Sequence, residues 1–115
     1  MANSVPGGLV IDNGVIADLA GYAALESYGV VGMTAPTMAD GIAKILPRQK
    51  LRRGIQVETT DKGVRVDLYV VIEHGTNLAT VSQNLVDQVT FVLTEFAQAP
   101  IDSVEVHIQD IKIRK

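Results

Sequence analysis

From Val64 to Glu73 the side chains alternate without a break. Val64, Val66, Leu68, Val70 and Ile72 fall on one side, and Arg65, Asp67, Tyr69, Val71 and Glu73 on the other. A period of two over this length predicts an extended strand with one face buried. Such a strand needs neighbours for its backbone hydrogen bonds and a layer to cover its apolar side. The first neighbour is close at hand. Gly54 to Thr60 predicts a second strand with Ile55 and Val57 inward, and Asp61-Lys62-Gly63 supplies the hairpin turn between the two.

The covering layer comes from two helical segments. Asp12, Asn13 and Gly14 follow a short strand at Gly8–Ile11 and predict the start of a helix over Val15–Ser27. Its inward stripe is Ile16, Leu19, Ala20, Ala23 and Ser27, with Ala17, Gly21 and Ala24 alongside, and such small residues allow close docking on a sheet. Thr76 or Asn77 caps a long helix from Leu78 to Gln98, stopped by Pro100, with Leu78, Val81, Leu85, Val89, Val92, Leu93 and Phe96 inward. Val30–Met33 reads as a short strand, and Thr37 caps a short helix from Met38 to Leu46 that Pro47 closes. The last strand places Val104, Val106 and Ile108 inward and resumes out of step with Ile111 and Ile113, which predicts a bulge near Gln109-Asp110. The sum is an α+β fold: a two-layer sandwich, mostly antiparallel sheet, with two principal helices on one face.

At 115 residues, 47% of them hydrophobic, the chain is the size of one domain, 1–115, with a core of its own. It has no cysteine, which excludes disulfides and thiolate chemistry. A net charge of −3 is too mild to point to nucleic acid or membrane. No charge-free stretch reaches the ~20 apolar residues of a spanning helix, and Met1–Gly8 has no secretory signal character, so the expected compartment is the cytoplasm.

Catalytic patterns are missing from the sequence. There is no nucleophile elbow, phosphate-binding glycine loop, His-Glu-x-x-His pair or calcium loop, so the chain is expected not to be an enzyme and to need no cofactor or metal. His74 and His107 read as solvated surface imidazoles, and Asp67 and Glu73 as solvated acids on the polar side of a strand. The bare Gly29-x-x-Gly32 pattern has Val30-Val31 at its centre, inside a strand, which argues against an RNA-clamping loop. Two features stand out. Lys44, Arg48, Lys50, Arg52 and Arg53 carry half of the positive charge with no acid between Asp40 and Glu58. They read either as a solvated linker or as an anion-facing patch, and no aromatic interleaves them for base stacking. Phe91 falls opposite the inward stripe of the long helix, among Asn84, Asp87, Glu95 and Gln98. It is either a lone exposed apolar residue or a candidate self-association contact.

Three strings in order, Tyr28-Gly-Val-Val-Gly-Met33, Val66-Asp-Leu-Tyr-Val-Val-Ile-Glu-His-Gly75 and Asp102-Ser-Val-Glu-Val-His-Ile108, resemble the alkaline shock protein and Gls-type general stress family of Gram-positive bacteria. The chain is most similar to the compact YloU-like branch, from about Leu9 to Ile113. The resemblance implies a non-enzymatic cytoplasmic interaction protein of the envelope stress response, acting by self-association as a homo-oligomer and by protein partner binding. It also implies a membrane-anchoring protein or a fatty-acid-kinase-like neighbour as partner, hence a peripheral position at the inner membrane face. No catalytic residues are known for the family, so none carries over. The alternative is a nucleic-acid- or anionic-surface-binding module using residues 44–53, although no specific nucleic acid is expected.

Overall fold

The alternating segment becomes the central strand of a four-stranded sheet. In a computed structural model that describes residues 12–36, 44–97 and 100–113, this strand, β3, runs Gly63–Glu73. The others are β1 (Val30–Met33), β2 (Ile55–Thr60) and β4 (Ile101–Lys112), and the principal helices are α1 (Asn13–Glu26) and α2 (Leu78–Val92). β2 pairs antiparallel with β3, from Ile55 opposite Leu68 to Thr60 opposite Gly63. β1 pairs antiparallel with the far end, Val30 opposite Ile72 and Met33 opposite Val70. β4 runs parallel, from Ile101 opposite Val64 to Lys112 opposite Glu73. A strand has only two hydrogen-bonding edges, so β1 and β2 lie end to end along one edge of β3 and β4 occupies the other. The sheet is mostly antiparallel, and its parallel pair explains α2: parallel neighbours need a long crossover, which a helix supplies.

The bulge forms where the alternation slips. Ile108 lies opposite Val70 and Asp110 opposite Val71, which leaves Gln109 unmatched. Its side chain reaches across to donate to the Ala35 and Pro36 carbonyls at 3.3 and 3.1 Å. Ile45 sits over Gly32 on the side of the sheet away from the helices. Val71, the apolar residue among the polar set, is fully buried on that face.

Both helices pack on the other face, over one core. Ile16, Ala20 and Ala23 of α1 meet Val66, Leu68, Val70 and Ile72 of β3 and Val81, Leu85 and Val89 of α2. The Asp12 side chain caps α1 by accepting from the Gly14 amide, and Asn77 caps α2 by accepting from the Thr80 amide at 3.0 Å. Close approach restricts residue type at Gly29, where φ is +85° and a side chain would strike Val81.

Three expectations about facing and extent are corrected. Leu78 is partly exposed and Phe96 is 70% exposed, not inward. The reason for Phe96 lies in the last turn, Leu93–Ala97, which is a π-turn rather than α-helix. The wider turn keeps Leu93 and Ala97 in the core and rotates the ring between them outward. Ile113, expected inward, lies just past the end of β4 and is 72% exposed, and Ile111 is 42% exposed although its partner Ile72 on β3 is fully buried, because β4, among the described strands, has a neighbour on one side only. The strand at Gly8–Ile11, and residues 38–43 of the expected short helix, lie outside the described residues. Lys44–Leu46, its expected end, is not helical; the Leu46 amide instead donates to the Met33 carbonyl at 2.7 Å, beside β1. Pro47 then opens a 3-10 segment, Arg48–Gly54, kinked at Lys50.

Candidate functional site

The basic stretch is carried by this 3-10 segment and the residues before it. Arg52 forks onto Asp18 of α1, Nε donating to Oδ1 at 2.8 Å and Nη2 to Oδ2 at 2.7 Å. That hydrogen bond, with the guanidinium charge behind it, holds the Asp18 carboxyl below its ordinary range against a slight opposing effect of burial. The pair is exposed, so it fixes the segment against α1 more than it stabilises the fold. Lys44, Arg48, Lys50 and Arg53 are exposed, and among the described residues none lies within ion-pair distance of a carboxylate. The stretch therefore divides: Arg52 is committed to Asp18, and four cations project into solvent. Between segment and helix is an open cleft of about 210 Å³ lined by Asp18, Tyr22, Arg48, Gln49, Leu51 and Arg52.

Phe91 stands on the solvent side of α2, 57% exposed, with Asn84, Asp87 and Glu95 exposed around it. The neighbouring Gln83 donates to Asp87 at 2.9 Å. A wider pattern contains it. Both phenylalanines of the chain, Phe91 and Phe96, are on the surface, as are Tyr22 and Tyr28, and Tyr69 is only half-buried. The core is aliphatic throughout its described residues. Aromatic side chains normally supply much of a core's buried area, so a fold that leaves Tyr22, Tyr28, Phe91 and Phe96 on its surface has these four available for contacts beyond itself.

The sequence reading missed a cluster on the sheet face away from the helices. Asp67, expected as a solvated acid, is 7% exposed. Its Oδ1 lies 3.0 Å from His107 Nε2 and its Oδ2 lies 3.3 Å from Arg65 Nε. His107, expected to be solvated, stacks on Tyr69 with ring centroids 4.5 Å apart and planes at 12°. The Tyr69 hydroxyl in turn donates to Gln56 Oε1 at 3.2 Å. Burial alone pushes the Asp67 carboxyl up; the hydrogen bonds from His107 and Arg65, with their charges, outweigh it and hold it below its ordinary range. The parallel register sets this up by placing His107 opposite Tyr69 and Glu105 opposite Asp67. The arrangement clamps β4 to β3. Its imidazole is occupied on one face by a ring and on Nε2 by a carboxylate, which suits a structural tie better than proton transfer to a substrate.

Among the described residues no group of His, Asp or Glu is placed to hold a metal ion, and no helix is long and apolar enough to cross a membrane. A family model described as the alkaline shock protein 23 family, cell envelope-related function, matches residues 1–113. The uncharacterized protein YloU of Bacillus subtilis is 32% identical over 108 residues, covering 93% of this chain and 90% of that protein. A Streptococcus pyogenes protein named stress response regulator gls24 homolog is 25% identical, over 100% of this chain and 64% of its own length. Among solved structures, the MamM C-terminal domain aligns with a TM-score of 0.51 at 11% identity, over 90% of this chain and 100% of that one. That likeness is one of fold alone.

Proposed function

The chain belongs to the alkaline shock protein 23 family, of cell envelope-related function, and from that premise we propose that it is a non-enzymatic, cytoplasmic interaction protein of the envelope stress response. It acts as one domain over residues 1–115, by self-association and by binding a protein partner, and reaches the inner membrane face through that partner. The observation that supports this reading is the surface placement of the aromatic residues, above all Phe91 on the open side of α2. Among the described residues no further layer lies over that side. Burying such a ring against another molecule removes apolar area worth ~1.5–3 kcal/mol from water. Light scattering tests it. The wild type should exceed the 12.3 kDa of one chain, and Phe91→Ser should lower the mass of the assembly while leaving urea melts nearly unchanged. A wild type that is monomeric at micromolar concentration, or an unchanged mass in the variant, counts against the reading. Purification from native cells, with and without membrane solubilisation, identifies the partner.

A second reading is favoured by the exposed Lys44, Arg48, Lys50 and Arg53: a modest, salt-sensitive attraction to anionic surfaces. Each such charge contributes about 1 kcal/mol near an anionic membrane, with no base readout. Arg48→Glu with Arg53→Glu should abolish sedimentation with anionic vesicles. Arg52→Glu belongs in a separate variant, because it also breaks the tie to Asp18. Equal sedimentation of wild type and double variant removes this reading.

A further inference from the structure

We propose that the outer side of the helical layer is a docking face for a second copy of this chain. The two copies meet helix side to helix side about a two-fold axis along α1, and Phe91 of each seats in the cleft beside Tyr22 of the other. This rests on the self-association reading above and supplies the surface that Phe91 meets.

Helix α1 provides the first argument. Its sheet side is buried, yet its opposite side is apolar too: Val15 and Tyr22 are exposed there, and Leu19 between them is half-buried. Positions 15, 19 and 22 repeat at helical spacing and form a second stripe. The only charged residues of α1 are Asp18 and Glu26, and Asp18 is taken by Arg52. A helix apolar on both sides is normally covered on both, and among the described residues this fold covers one.

Charge on either flank of that stripe selects the occupant. α1 lies between the 3-10 segment on one flank and α2 on the other. Residues 44–54 carry Lys44, Arg48, Lys50, Arg52 and Arg53 and no acid, whereas α2 and its π-turn carry Asp87 and Glu95 and no base. Across the layer the order is therefore basic, apolar, acidic. A two-fold axis along α1, in the plane of contact, reverses this order in the second copy. Each basic flank then lies over an acidic one, with apolar stripe on apolar stripe; an axis across the helices would lay like on like. The face is its own complement.

Position along the helices is the third argument. α1 and α2 run antiparallel: Val81, early in α2, lies against Gly29 just past the end of α1, and the π-turn after α2 packs back against α1. Ten residues beyond Val81, about 15 Å at helical rise, Phe91 comes level with about residue 19 of α1. Asp18 and Tyr22, which line the cleft with Arg48 and Leu51, stand at that same level. Rotation about an axis along α1 preserves the level, so each ring arrives at the other copy's cleft, against Tyr22 and Leu51. Asp87 and Glu95, one turn before and after Phe91, then approach Arg48 and Lys50, which among the described residues have no carboxylate within ion-pair distance.

Light scattering on the full chain should find a dimer. Tyr22→Ser, at an exposed site, should weaken it about tenfold or more. Combined with Phe91→Ser it should cost much less than the two losses added, because both changes break one contact. Asp87→Lys with Glu95→Lys, and separately Arg48→Glu with Lys50→Glu, should each weaken the dimer by a similar factor. An equimolar mixture of these two charge variants should restore it as a heterodimer, since both of its contacts again join opposite charges. Circular dichroism and urea melts separate loss of dimer from loss of fold. An assembled wild type that is indifferent to Tyr22→Ser and to both charge reversals overturns this docking face while self-association stands. A mass that grows continuously with concentration overturns the closed two-fold pair. A monomeric wild type overturns both readings. If Tyr22 in a dilute monomer resists hydroxyl-radical labelling until residues 2–10 are deleted, the chain's own N-terminus covers this face and the proposal fails.

Discussion

Asp67 is the residue whose surroundings are least evident from its neighbours in sequence. Alternation places it on the face away from the helices, which is correct, but the partners that bury it are His107, from a strand forty residues on, and Arg65. Nothing local specifies a parallel register across a helical crossover, so the ring that closes over the carboxylate was not legible. The pairing has a consequence in pH. The folded carboxyl titrates below its ordinary value, so its contribution is fully present above the unfolded value of about 3.9 and is lost as pH falls through the lower, folded value. Asp67→Asn should therefore lose stability at pH 7, by about 1 kcal/mol, and the gap to wild type should close in urea melts taken towards pH 3. A gap that stays constant with pH would mean that the loss comes from packing and not from charge.

Helix α2 marks how far periodicity reads at the scale of an element. Its centre follows the wheel, with Val81, Leu85, Val89 and Val92 buried as the spacing requires. The wheel fails once the turn widens at Leu93, because a fixed 100° step cannot anticipate a π-turn. The strand patterns lasted longer. The period of two identified β2, β3 and the slip in β4, since each is a local alternation; the exposure of Ile111 and Ile113 depends on where β4 ends and what flanks it, which no strand pattern encodes. These assignments separate cleanly by mutation. Leu68→Ala and Leu85→Ala, both at fully buried sites, should each cost ~2–5 kcal/mol through lost transfer energy and a cavity. Phe96→Ser, at a site the wheel would bury, should stay within about 0.5 kcal/mol, as surface changes do. A large loss at Phe96 would return its ring to the core and refute the π-turn.

At the scale of the whole molecule, the elements are held by unequal means. Among the described strands β3 alone is hydrogen-bonded along both edges, and its inward side chains Val66, Leu68, Val70 and Ile72 are fully buried. α1 is different: its buried stripe is Ala17, Ala20, Gly21, Ala23 and Ala24 around one larger residue, Ile16. Apolar stabilisation scales with area removed from water, at roughly 25 cal/mol per Å². Alanines docked closely therefore anchor a helix much less than the same number of valines and leucines anchor a strand. The fold should accordingly open in parts rather than all at once. Native-state hydrogen exchange in mild urea should find the amides of β3 released only by global unfolding, and those of α1 released earlier, in an opening that leaves β2, β3 and β4 paired. Ala24→Gly sharpens the test, since it removes a fully buried methyl and about 1 kcal/mol of helix propensity from α1, and should lower the α1 opening energy while β3 changes less. If α1 and β3 exchange at one common free energy in both chains, then the helix layer and the sheet form a single cooperative unit, and the small-residue contact is stronger than its area implies.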